Sequence, residues 1–157
     1  MGVNNYNKLK KKYGLPEHKK LVELLEIDID PSKNEVLLLQ EIRNHITDRM
    51  YDLMKTIESI LFTGEGSDPG HLYQEEMIKN SSGEAFEVFK DFNQLNYEGF
   101  LLRFKHDRKA DAAFINKIFR LWPSMEKKMI KFFSELENGW KGFDGPLKEI
   151  KHETYHG

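Results

Sequence analysis

The stretch EVLLLQEIRNHITDRMYDLMKTIESILF, residues 35–62, decides the fold of this chain. Its large apolar residues recur at intervals of three, four and seven, which is the spacing of one face of an α-helix. The residues of this stripe are Leu39, Ile42, Ile46, Leu53, Ile57, Ile60 and Leu61. Ser32 and Glu35 fit a capping box at its start, since each side chain can bond the other residue's backbone amide. The pattern predicts one long central helix over about residues 35–62.

Shorter helical patterns lie on both sides of this stretch. The segments with an apolar face of helical spacing are 4–13, 16–27, 71–79, 85–105, 108–122 and 124–137. Pro123 is expected to end or kink the helix that reaches it, because proline lacks an amide hydrogen. Alternating strand patterns are absent from the sequence. The sequence therefore predicts an all-α fold, a compact bundle of about four to six helices.

The expected domain organisation is one helical domain over residues 1–139, of which 1–15 form a basic N-terminal segment. Residues 140–157 are polar and are expected to form a C-terminal tail that packs back through Trp140 and Phe143.

Composition narrows the class of protein and the kinds of site. At 157 residues, 39% hydrophobic and 32% charged, the chain is typical of one soluble globular domain. It has no cysteine, which excludes disulfides, thiolate zinc sites and cysteine nucleophiles. No apolar run reaches the roughly 20 residues that cross a bilayer. We therefore expect a cytoplasmic protein with no membrane partner.

The net charge of −2 combines two unlike parts of the chain. Residues 1–20 carry six lysines and one glutamate, a local charge of +5, which leaves −7 for the rest. Cations can bind nucleic acid because each neutralised phosphate releases counterions. The candidate contacts are Lys8, Lys10, Lys11, Lys12, Lys19, Lys20, Lys105, Arg108 and Lys109. A solvated basic arm is the favoured interpretation, and a nucleic-acid-binding accessory protein is one alternative function.

The string His152-Glu153-Thr154-Tyr155-His156 has the H-E-x-x-H spacing. On a helix, this spacing places two imidazoles on one face, with a glutamate positioned to activate a zinc-bound water. In these five residues the chain resembles the zincin metallopeptidase motif. The resemblance implies a second alternative, a zinc hydrolase with His152 and His156 as ligands and Glu153 as the catalytic base. The favoured interpretation is a solvated tail.

A second candidate metal site lies on the long predicted helix. Glu41, His45, Asp48 and Asp52 follow at intervals of four, three and four, so they share one helical face. Bundle metal sites combine such rows from facing helices, and His71 with Glu75 is the candidate partner row. The favoured interpretation is a solvated face opposite the apolar stripe.

The C-terminal half is rich in phenylalanine, and its predicted last helices place apolar groups on more than one side. Either other helices surround that region, or one of its faces binds a partner. The candidate interaction surface is Phe119, Trp122, Phe132 and Phe133. We therefore expect a non-enzymatic helical binding module without a cofactor, acting as a homodimer or on a protein partner.

Overall fold

The computed structural model describes residues 4–26, 28–62, 68–80 and 83–143. These residues form six α-helices and contain no strand. The helices are α1 (Asn5–Tyr13), α2 (His18–Leu25), α3 (Glu35–Leu61), α4 (Pro69–Lys79), α5 (Glu84–Lys105) and α6 (Arg108–Lys141). The predicted all-α bundle is confirmed. The long helix α3 is at its centre, although α6 is longer.

Helices α3, α5 and α6 build the centre of the bundle by packing against one another. α3 and α5 are antiparallel: Arg43 bonds the Leu102 carbonyl near one end, and Phe62 contacts Phe86 near the other. α1 and α2 pack against this three-helix centre.

The apolar stripe of α3 supplies much of the core. Leu39, Ile42, Ile46 and Ile57 are buried as predicted, and Leu53, Ile60 and Leu61 are partly buried at its edges. The buried face also includes Leu38, Met50 and Met54. Burial of a side chain of this size contributes about 1.5–3 kcal/mol, so this face dominates the stability of the helix.

A glycine permits the close approach of α3 and α5. A Cβ atom at Gly99 would lie 2.6 Å from the Thr47 hydroxyl oxygen and 3.1 Å from the Phe114 ring. Both neighbours are themselves buried. Gly99 is therefore required by packing between three helices and not by a turn.

One buried ion pair also joins these three helices. Arg43 on α3 donates through Nη1 to Asp111 Oδ1 on α6 at 2.8 Å and to the Leu102 carbonyl oxygen on α5 at 3.3 Å. Burial raises the pKa of Asp111, and the Arg43 guanidinium opposes that shift.

The basic N-terminal segment is part of the bundle and not a free arm. Tyr6 and Leu9 of α1 are fully buried in the main core, and the Tyr6 hydroxyl donates to the Pro16 carbonyl. The lysines of α1 occupy its other sides. Gly14 ends the helix in the left-handed conformation, which is favourable for glycine.

The start of α3 differs from the predicted capping box. Asn34 is the N-cap, and its side chain accepts a hydrogen bond from the Val36 amide. Ser32 instead donates its hydroxyl to Asp30 at 2.6 Å, and this bond, with that from the Ser32 amide, holds the pKa of Asp30 below its usual value. Ser32 lies two residues before the N-cap position of α3. Its hydroxyl bonds Asp30 in the preceding turn and does not cap the helix.

Helix α6 continues through Pro123, so the proline does not end the helix, which was one of the two expected outcomes. An interior proline costs a helix roughly 3 kcal/mol, through one lost hydrogen bond and a clash. Ile118 before Pro123 and Met125 after it are both buried in the same core cluster. Packing on both sides of the proline thus offsets its cost.

The end of α6 lies beyond the predicted boundary at residue 139. The helix reaches Lys141, and Trp140 and Phe143 both stack against Tyr73 of α4, with ring centroids 5.6 Å and 4.9 Å away. Residues 144–157 lie outside the described part of the chain.

Candidate interaction surface

The side of α5 that points away from the core carries large apolar residues. Tyr97, Phe100, Leu101 and Phe104 are exposed, Phe104 to 81% and Tyr97 to 68%, and Phe86 is exposed near the start of the helix. We call these five residues the α5 face. Single apolar residues on a surface are ordinary, whereas a contiguous patch of them marks an interaction site.

Helical geometry separates the α5 face from the buried side of the helix. Consecutive residues are turned by about 100° around the axis, so Phe104 lies about 200° from the buried Leu102. Tyr97 has the same relation to Gly99, which packs on α3. The core therefore does not need the α5 face, since other residues of the helix fill the core.

The residues along this face follow the spacing of a two-helix coiled coil. Phe86, Lys90, Asn93, Tyr97, Phe100 and Phe104 are separated by four, three, four, three and four residues. We call these six residues the α5 seam. Intervals that alternate between three and four keep one line of side chains directed at a partner helix. This spacing is the signal in the sequence that indicates the surface, and the predicted interaction residues do not include it.

Neighbouring side chains hold the aromatic rings at the two ends of the α5 face. Phe62, itself exposed, contacts Phe86 with the ring centroids 6.3 Å apart. At the other end the Arg103 guanidinium lies 4.9 Å from the Phe100 ring centroid and 3.6 Å from Asp48. The surface is thus supported by α3 as well as by α5.

Charge is distributed unequally along α5. Its first turn carries Glu84 and Glu87, and its last turn carries Arg103 and Lys105. This arrangement complements the helix dipole. Most of these charges have partners within the chain: Glu84 and Glu87 pair with Lys131 and Lys128 of α6 at 3.3 Å and 3.2 Å, and Arg103 pairs with Asp48.

The interaction surface predicted from sequence on α6 needs correction. Phe132 is only 3% exposed and packs with Ile78, Ala85 and Leu136. Phe133 is partly buried against both core clusters. Phe132 and Phe133 therefore fill the interior, because residues of α3, α4 and α5 pack over this side of α6.

Phe119 and Trp122, the other two residues of that prediction, line a groove of about 710 Å³ between α2, α3 and α6. Both are partly buried and pack against the main core. Charged residues stand at the rim, including Lys20, Glu126 and Arg49, whose Nη2 bonds Glu26 at 3.1 Å. The groove has an apolar floor and a rim of mixed charge.

The candidate phosphate-binding cations lie on several helices. Lys8, Lys11, Lys12 and Lys19 are exposed on α1 and α2, as are Lys105, Arg108 and Lys109 at the junction of α5 and α6. Lys10 pairs with Glu17, which lowers the pKa of that carboxyl. Lys20 faces the groove.

The predicted carboxylate and histidine rows do not form a metal centre in the described ranges. Glu41 pairs with Lys33 at 2.7 Å and lies 3.6 Å from His45, and Asp48 pairs with Arg103. His71 and Glu75 lie on α4. Among residues 4–26, 28–62, 68–80 and 83–143, no three histidine, aspartate or glutamate side chains are close enough to hold a metal ion. The row on α3 is used for ion pairs.

His152, Glu153 and His156 lie outside the described residues, so the H-E-x-x-H prediction stays a prediction.

In the described part of the chain, no helix is both long enough and apolar enough to cross a membrane. Comparison with protein-family models, curated proteins and solved structures finds no match to this sequence.

Proposed function

We propose that this chain is a non-enzymatic helical interaction module that forms a homodimer through the α5 face. The observation that carries the proposal is the group of exposed large apolar side chains in the second half of α5, Tyr97, Phe100, Leu101 and Phe104, with Phe86 exposed near the start of the helix. The occupant of the face is a second copy of this chain.

The size of the α5 face supports a dimer of this kind. At roughly 200 Å² for a fully exposed large side chain, the exposed fractions of its five residues amount to about 600 Å². Stable interfaces bury about 800 Å² on each partner, and the polar seam residues and the rim supply the remainder. Without Phe86, which lies about three helical turns from Tyr97, the exposed area is about 500 Å², in the upper part of the range for the largest apolar patch on a monomeric protein.

The test compares molecular mass by light scattering at protein concentrations from about 1 to about 500 μM, a range in which dimers dissociate by mass action. We expect a mass near 18.5 kDa at low concentration and twice that value at high concentration. Phe104→Glu is expected to keep the monomer mass throughout, because a dimer would bury its charge at the α5 face.

The matched control is Ile130→Glu, since Ile130 is an exposed apolar residue on α6, away from the α5 face. This variant is expected to dimerise as the parent does. Circular dichroism melting of both variants checks the fold. A parent chain that stays monomeric throughout the range refutes the proposal, and the α5 face would then have another occupant.

A further inference from the structure

We infer that the two α5 helices of the dimer pair antiparallel, with Phe86 of one copy against Phe104 of the other. This inference rests on the self-association proposed above. Two features of α5 support it: the chemistry of each pair that this register produces, and the position of Lys90 within the seam.

The α5 seam reads the same in both directions. Its intervals of four, three, four, three and four residues mean that a second copy, reversed about the midpoint near residue 95, places every seam residue opposite another. The three kinds of layer are Phe86 with Phe104, Lys90 with Phe100, and Asn93 with Tyr97, each occurring twice. Such an isologous pairing is what a two-fold axis requires.

Each of these layers brings together chemically compatible groups. Phe86 and Phe104 bury two aromatic rings, and the Lys90 ammonium lies over the Phe100 ring in a cation–π contact. Asn93 donates through Nδ2 to the Phe89 carbonyl at 3.0 Å within its own helix. The Asn93 Oδ1 can therefore accept a hydrogen bond from the Tyr97 hydroxyl of the second copy.

The parallel alternative brings like groups together. In that arrangement Lys90 faces Lys90. Like charges at such positions are destabilising. The antiparallel arrangement instead places each Lys90 opposite a Phe100 ring, and it also opposes the two helix dipoles.

Single-cysteine cross-linking tests the orientation, and the absence of native cysteine makes the products unambiguous. Glu87→Cys and Lys105→Cys place one thiol at each end of the same flank of α5, outside the seam. In the antiparallel dimer, residue 87 of one copy and residue 105 of the other are offset by about 3 Å along the axis. Two copies of the same residue are at least about 24 Å apart at 1.5 Å per residue.

A bismaleimide with a spacer of about 8 Å, shorter than that same-residue separation, is added to each variant and to an equimolar mixture. We expect covalent dimer in the mixture and none in either variant alone. Repeating the mixture with Phe104→Glu added to both chains is expected to abolish the product.

Each other outcome has a distinct meaning. Covalent dimer in each single variant alone indicates parallel helices and overturns this inference, while self-association stands. A dimer by light scattering that yields no cross-link in any sample excludes α5 as the interface and overturns the inference too. A monomer by light scattering refutes the proposed function itself.

Discussion

Replacing Arg43 with methionine is expected to remove a large share of the stability of this protein. Arg43 and Asp111 are buried, with side chains 5% and 3% exposed, and their ion pair spans 2.8 Å. The same guanidinium donates to the Leu102 carbonyl in the last turn of α5, where helix carbonyls lack partners in their own helix. The substitution therefore removes both the counter-ion of Asp111 and the hydrogen-bond donor to the Leu102 carbonyl.

The magnitude follows from what Arg43→Met leaves behind. Removing one member of a buried ion pair costs about 3–5 kcal/mol, because the other charge stays buried without compensation. The lost bond to Leu102 adds about 1 kcal/mol. We therefore expect a loss of about 5 kcal/mol, against a total stability of about 5–15 kcal/mol for a domain of this kind. The double variant Arg43→Met/Asp111→Leu is expected within about 2 kcal/mol of the parent, because it leaves no buried charge.

Urea unfolding followed by circular dichroism measures these free energies. All variants carry Phe104→Glu, so that dimer dissociation does not contribute to the unfolding free energy. Asp111→Leu alone completes the double-mutant cycle, and we expect a coupling free energy of about 3 kcal/mol or more. A loss below about 1 kcal/mol for Arg43→Met, with additive effects in the cycle, would contradict the buried pair described here.

Acid should reduce the effect of Arg43→Met. Burial already raises the pKa of Asp111, with Arg43 opposing it, so loss of the guanidinium raises that pKa further. When folding raises the pKa of a carboxyl, its ionised form lowers the stability of the folded protein at pH values above that raised pKa. This loss of stability disappears below the pKa of the unfolded chain, near 4. The stability difference between parent and variant is therefore expected to narrow from about pH 7 to about pH 5. A constant difference over this range would show that the Asp111 carboxylate is not the source of the cost.

Three further substitutions test the packing, capping and helix continuity described above. Gly99→Ala is expected to cost about 1–3 kcal/mol in urea unfolding, because its Cβ would meet the Thr47 hydroxyl oxygen at 2.6 Å; an unchanged midpoint would contradict the close packing. Asn34→Ala is expected to lower the unfolding free energy by about 1 kcal/mol, because it removes an N-cap. Ser32→Ala is expected to lower it by at most about 0.5 kcal/mol. A larger loss for Ser32→Ala than for Asn34→Ala would indicate that Ser32 is the cap. Pro123→Ala is expected to raise the unfolding free energy by about 1–2 kcal/mol, since alanine restores a helical hydrogen bond while loosening the unfolded chain; a loss of stability would mean that the proline itself is needed for packing.

The packing of α6 explains why the burial of Phe132 and Phe133 was not predicted from the sequence. Phe132 and Phe133 lie on different sides of one helix, and this pattern fits both a surrounded helix and a helix with a partner. The structure places Phe132 in a cluster with Ile78 of α4 and packs Phe133 against both core clusters. The apolar groups that appeared surplus are therefore part of the interior.

The α5 face illustrates the opposite case. Phe86, Phe100 and Phe104 belong to the phenylalanine-rich half of the chain, and phenylalanine residues are usually buried in a core. The helix has two apolar sides, and only one of them can face α3. Gly99 decides which side that is, since its missing side chain lets α5 approach Thr47.

Local sequence determined the helices and most of their ends, because helical spacing and caps depend on residues within a few positions of each other. The start of α6 at Asp107 and the end of α1 at Gly14 are examples. Tertiary packing decided the rest. Pro123 is tolerated inside α6 because core residues on both sides of it are buried together, and the apolar surface falls on α5 because α3 and α6 cover its other side. Such outcomes depend on contacts between residues that are far apart in the chain, so the spacing of residues within one helix does not predict them.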